Sequence, residues 1–189
     1  MRHKDVKRAQ EKAARILEKA GIAITAREKT HMEVADFGLN DLDHFGIEVI
    51  IYENNDRYCA KELVMFPRQI CPEHRHPPVP EKDAGKQETF RCRWGEVYLY
   101  VKGRPAPRPK AIIPMGHEKY FTIRHEIVLK PGDQFTLPQD NLHWFQAGDE
   151  GAVLSEFSSM NTDEYDIWTN PNIRRIPKIE KYFRPNSLI

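Results

Sequence analysis

From residue 45 onward the chain changes period. Phe45, Ile47, Val49 and Ile51 alternate with their neighbours, the spacing that puts every second side chain on one face of a half-buried strand. Further strand-like runs lie at 60–66, 96–102 (EVYLYVK), 125–130 (HEIVLK), 134–137 (QFTL), 143–147 (HWFQA) and 152–158 (AVLSEFS). Turn residues separate several of them: Lys102-Gly103, Pro131-Gly132-Asp133 and Gly148-Asp149-Glu150-Gly151. Many short strands with no helix between them can bury their apolar faces only as a sandwich or a barrel. The fold class expected is therefore mainly β.

Helices belong to the first forty residues. Val6, Ala9, Ala13, Ile16, Leu17 and Ala20 recur at helical spacing, and Gly21 stops the run. Thr25-Ala26-Arg27-Glu28 reads as a capping box opening a second short helix, expected to end near Phe37-Gly38. No linker separates these helices from the strands. One domain over 1–189 is expected: a helical extension at 1–40 packed on a barrel at 45–160, with an irregular tail at 161–189.

Composition excludes several classes. With 29 basic against 28 acidic residues the net charge is +1, so nothing argues for nucleic acid or an anionic membrane as partner. No apolar run approaches the ~20 residues of a membrane span. The N-terminus is charged and helical rather than a signal peptide. Three cysteines (Cys59, Cys71, Cys92) with no CxxC pair fit reduced thiols in a cytoplasm better than a disulfide framework or a thiolate metal site.

Chemistry concentrates in CPEHRHPP (71–78), in the strand-like run after it and in HWF (143–145). In an extended stretch His74 and His76 project to the same side. Glu88 offers a carboxylate at the start of another strand, and His143 opens HWF. Three imidazoles and one carboxylate suit a divalent first-row metal and leave coordination positions open, as catalytic sites do. An HxH pair alone is a weak signal in a chain with eight histidines. The ordered set is stronger: Glu88 is followed after six residues by Gly95, Gly132 after five residues by Pro138, and His143 comes five residues after that proline.

These two stretches resemble the paired motifs of the cupin superfamily, His74, His76, Glu88 and Gly95 forming the first and Gly132, Pro138 and His143 the second. The chain departs from the pattern in the long gap between His76 and Glu88, in Asp140 where the second motif has glycine, and in Ala147 where it has asparagine. The resemblance implies a cupin jelly-roll β-barrel with the metal in its mouth. A closer resemblance runs from about Tyr52 to Pro171. The stretches NDRYC (55–59), CPEHRHPP (71–78), GKQETFRCR (85–93), HWFQAG (143–148) and TDEYDIWT (162–169) are similar to those of cupin-type D-lyxose isomerases.

That resemblance implies a metal-dependent aldose–ketose isomerase converting D-lyxose to D-xylulose through a cis-enediol, with D-mannose and D-fructose a further pair. His74, His76, Glu88 and His143 would be the ligands. Manganese is implied, although the donor set equally admits Fe, Co, Ni or Zn. Lys86, two residues before Glu88, would face the same interior and steady an enediolate. Glu156 lies on the Ala152, Leu154, Ser158 face of an apolar strand, where a carboxylate points to a lined cavity, and would shuttle the proton. Glu164 and Asp166 could reach the site from the tail. Tyr98, Tyr100, Trp144 and Phe145 read as barrel filling, and Arg91 and Arg93 as surface or ion-paired groups. A homodimer is implied by the resemblance alone. Two other readings use the same residues: an iron dioxygenase, and a sugar-binding cupin without catalysis.

Overall fold

The protein is described from a computed structural model over residues 1–80 and 84–175. Two long antiparallel strands form its spine, β5 (Glu88–Val101) and β8 (His143–Ser158), paired from Glu88↔Ser158 to Tyr100↔Trp144. Outside β5 lie β6 (His125–Leu129) and β7 (Gln134–Leu137). Outside β8 lie β3 (Cys59–Met65) and β4 (Ile70–Arg75). The sheet continues from β3 to β2 (Ile47–Asn54) and β1 (Glu33–Ala35), and from β4 to β9 (Ile167–Trp168). All these strand pairs are antiparallel.

The sequence suggests two strands at each end of this spine, separated by breaks near Gly95 and at 148–151. The structure instead carries each strand through without a break. Register shifts between Cys92 and Trp94 and between Gly95 and Val97 bend β5. Gly95 has φ 74 and Gly151 φ 94, and the two backbones meet so closely that a Cβ on Gly95 would lie 2.1 Å from the Gly151 carbonyl oxygen. The glycines act as a hinge in a continuous ladder rather than as a turn. Because the spine curls there, its two ends come together, which brings His143 and Glu88 into one cavity.

Helix α1 (His3–Lys19) buries Val6, Ala9, Ala13, Ile16 and Leu17 against Val34, Ile50, Val64, Phe66 and Val153 on the outer face of the sheet. Each fully buried aliphatic side chain there contributes about 1.5–3 kcal/mol. This cover explains why Ile47, Glu48, Val49 and Ile50 are all buried, where alternation suggested a half-buried strand. Helix α2 (Ala26–His31) has the expected capping box, Thr25 Oγ1 accepting from the Glu28 amide at 3.1 Å. It ends six residues earlier than the sequence suggests, because Glu33–Ala35 pairs with β2 as a strand. The tail at 161–175 holds one 3₁₀ turn (Asp163–Tyr165) and β9, so it is more ordered than expected; residues 176–189 lie outside the described residues. Among the described residues no helix is long and apolar enough to cross a membrane.

Glu48 is fully buried beneath α1, and neither carboxylate oxygen has a hydrogen-bond partner. Burial raises its pKa well above 4.5, outweighing the pull of Gln69 and Lys12. A carboxyl with a raised native pKa stabilises the fold fully only below its unfolded pKa and loses that contribution as pH rises through the native one. Glu48→Gln should therefore melt like the wild type near pH 4.5 and be more stable by about 1–3 kcal/mol at pH 9. Thermal melts across that range check this; equal melting at pH 9 would count against it.

Candidate active site

The curl of the spine gathers His74 from β4, His76 just beyond it, Glu88 from the start of β5 and His143 from the start of β8. His74 and His143 are direct cross-strand partners. The three imidazoles offer nitrogens within 4.8 Å of one another, and all are buried. Glu88 Oε2 is 3.2 Å from His76 Nε2 and 3.4 Å from His143 Nε2.

Outer partners fix how the rings face. The Nδ1 of His74 lies 2.7 Å from the Pro72 carbonyl oxygen, and that of His143 lies 3.0 Å from the Asn141 carbonyl oxygen. A carbonyl only accepts, so both Nδ1 atoms carry the proton and, in the neutral ring, Nε2 carries the lone pair. Burial, joined by the neighbouring imidazoles, lowers both pKa values, that of His143 to about 4. His76 Nδ1 is held by the Asp166 carboxylate. Burial disfavours the charged form of His76, yet Glu88 and Asp166 prevail and raise its pKa to about 10.

His76 Nε2, His143 Nε2 and Glu88 Oε2 are buried without any hydrogen-bond partner. Buried polar atoms left unpaired at one point are costly, and imidazole nitrogens converging with a carboxylate make a donor set that a divalent cation satisfies, a bound cation replacing the proton that Glu88 and Asp166 favour on His76. The residues present therefore fit a metal.

Beside this cluster lies a chain of buried charges. Lys86 Nζ is 2.6 Å from Glu88 Oε1 and 2.8 Å from Glu156 Oε1. Burial opposes its charge, but Glu156, Glu88 and Asp163 together raise its pKa well above the ordinary lysine value. Lys61 Nζ approaches Glu156 from another direction at 3.4 Å and donates to Asn161 Oδ1 at 2.7 Å. Asp163 sits 3.8 Å from Lys86 and 3.9 Å from Lys61, and it accepts a 3.1 Å hydrogen bond from Arg175. Burial would raise its pKa, but these cations hold it far below the carboxylate range. Lys61, Lys86, Glu156, Asp163 and Arg175 line one cavity with the three imidazoles and Glu88, and Phe37, Trp168 and the aliphatic side chains of β2 and β3 form its apolar side.

The structure thus brings together all six residues that the sequence singles out: His74, His76, Lys86, Glu88, His143 and Glu156. Asp166 reaches the site from the tail, whereas Glu164 is exposed. Phe145 lines the cavity, while Tyr100 and Trp144 stack on each other in the core at 3.9 Å. Arg91 and Arg93 point outward to Gln134 and Ser155. Asp140, standing where the motif has glycine, adopts φ 52 and accepts from Arg75 at 2.6 Å. Aspartate tolerates that left-handed conformation, so the turn survives the substitution.

Sequence reasoning missed Lys61, Asp163 and Arg175. Lys61 was legible in principle, since it shares an inward strand face with Leu63 and Met65. Asp163 lay within a recognised stretch, and nothing local marked Arg175.

A sequence model of the D-lyxose isomerase family matches residues 10–189. The chain is 67% identical over 174 residues to the D-lyxose ketol-isomerase of Thermofilum sp. (strain ex4484_79), covering 92% of this chain and 96% of that one. It is 60% identical to the D-lyxose/D-mannose isomerase of Thermosediminibacter oceani, over 93% and 96% of the two chains. Among solved structures, the L-ribose isomerase of Cellulomonas parahominis superposes with a TM-score of 0.74 at 13% identity, over 94% of this chain and 98% of that one. That likeness speaks to the barrel and its helical extension alone. By the span of the family match and the identity to these relatives, the chain belongs to the D-lyxose isomerase family, a family of aldose–ketose isomerases.

Proposed function

We propose that the protein is a metal-dependent isomerase that interconverts D-lyxose and D-xylulose through a cis-enediol, with D-mannose and D-fructose as a second pair. The observation that carries this reading is the position of Glu156, held by Lys86 at 2.8 Å and Lys61 at 3.4 Å in the cavity that the three imidazoles and Glu88 share. The relative named a D-lyxose/D-mannose isomerase supports the second pair.

His74, His76, Glu88 and His143 would hold the divalent cation, manganese by resemblance, with Fe, Co, Ni and Zn suited to the same donors. A cation there supplies Lewis-acid stabilisation of negative charge growing on the sugar oxygens. Glu156 takes the proton from the carbon beside the carbonyl and returns it to the neighbouring carbon. Lys86, kept protonated by the carboxylates around it, donates to the oxygen on which charge builds and takes up the proton of the neighbouring hydroxyl as that oxygen becomes the new carbonyl. Asp166 orients His76 through Nδ1. We take the protein to act as a cytoplasmic homodimer, a reading that rests on resemblance and on three buried, unpaired thiols.

Isomerisation consumes no oxidant. D-lyxose incubated with the protein without oxygen is expected to give D-xylulose at the rate seen in air. A product formed only in air would point to a dioxygenase, and retention of the sugar unchanged to a binding protein.

A further inference from the structure

We infer that Phe37, from the N-terminal extension and outside both metal-binding stretches, sets the length of sugar that the cavity accepts and so favours the pentose over the hexose. The inference rests on the isomerase reading above. Phe37 stands at φ 53, a left-handed conformation that is an outlier for a bulky side chain. Such conformations persist where surrounding structure enforces them, and they concentrate at functional sites.

The enforcement is visible. Asp36 Oδ1 accepts the Gly38 amide at 3.0 Å, and the Phe37 carbonyl accepts the Arg174 amide at 2.8 Å. Gly38, at φ 72, packs so tightly that a Cβ there would lie 3.2 Å from the Arg174 Cβ. The outcome of this clamp is one aromatic ring, 1% exposed, lining the cavity with its centroid 5.2 Å from that of Trp168. Trp168 in turn stacks on His74 at 4.5 Å.

Phe37 takes no part in the ion pairs of the site, so its contribution there is shape. Under the isomerase reading the carbonyl end of the sugar lies beside Lys86, Glu88 and Glu156, which leaves the remote carbons to the apolar wall that Phe37 and Trp168 help to form. D-lyxose and D-mannose present the same configuration near the carbonyl and differ by one carbon at that remote end. A wall that meets or spares one such carbon changes discrimination by about 10–200-fold.

The test is kcat/KM for D-lyxose and for D-mannose in the wild type, Phe37→Ala, Phe37→Leu and Phe37→Trp, with Phe121→Leu as a core control. Phe121 is buried against Trp144 and does not line the cavity. Phe37→Ala is expected to lower the lyxose-to-mannose ratio by about tenfold or more, mainly through KM for mannose. Phe37→Leu should lower it less, Phe37→Trp should raise it, and Phe121→Leu should leave it unchanged. If the alanine variant fails to fold, the leucine variant decides. An unchanged ratio in folded Phe37→Leu that still converts D-lyxose overturns the inference and leaves the isomerase reading intact. The same holds if mannose turnover stays absent in every Phe37 variant. A wild type that converts neither sugar overturns both.

Discussion

Glu156→Gln is expected to lower kcat for D-lyxose by about 10²–10⁴-fold, the usual worth of a positioned general base, with KM close to that of the wild type. Glutamine keeps the shape of the side chain and removes its capacity to accept and return a proton. The surroundings tolerate the exchange, because Lys86 retains Glu88 at 2.6 Å and Lys61 retains Asn161 at 2.7 Å. A drop in kcat at constant KM marks a group that acts in the transition state rather than in binding. A merely binding protein would show no change in affinity for the sugar. Should the variant keep the wild-type rate, Glu156 would not be the base, and Asp163 would be the next carboxylate to replace.

The second large effect concerns the metal. His143 is buried and anchored through Nδ1, and it meets His74 across the strand pair. Its replacement by alanine removes one of four donors from a site that cannot recruit water-exposed substitutes. Wild-type protein at free manganese a hundred times its dissociation constant should gain about 2.7 kcal/mol, a rise of about 5–10 °C in Tm. His143→Ala should lose most of that rise and retain little metal after desalting, measured by elemental analysis. This readout is independent of turnover. An undiminished metal content in the variant would remove His143 from the ligand set.

Legibility tracked the range of the interactions. Most of the barrel strands, α1 and the start of α2 were readable because period and capping are local, and the six residues singled out as ligands, base and lysine lie around one cavity. The spine was misread at two places, since Gly95 and the run 148–151 carry turn chemistry although tertiary pairing carries the strand through. Helix α2 was read too long because nothing local opposes helix at Glu33–Ala35, and only the pairing with β2 decides it. Arg175 and Phe37 escaped for the same reason. Each enters the cavity through contacts distant in sequence, Arg175 with Glu33 and Asp163, and Phe37 with Arg174. Lys61 is different: a lysine on an inward strand face is as informative as Glu156 on the strand beside it.

Metal-dependent isomerisation is tested most directly by proton NMR of D-lyxose with purified protein under anaerobic conditions, before chelation, after chelation and after manganese is restored. D-xylulose signals are expected to stop growing with the chelator and to resume with the metal. No ketose from D-lyxose in the manganese-loaded protein, or conversion that chelation leaves untouched in a metal-free preparation, would contradict it.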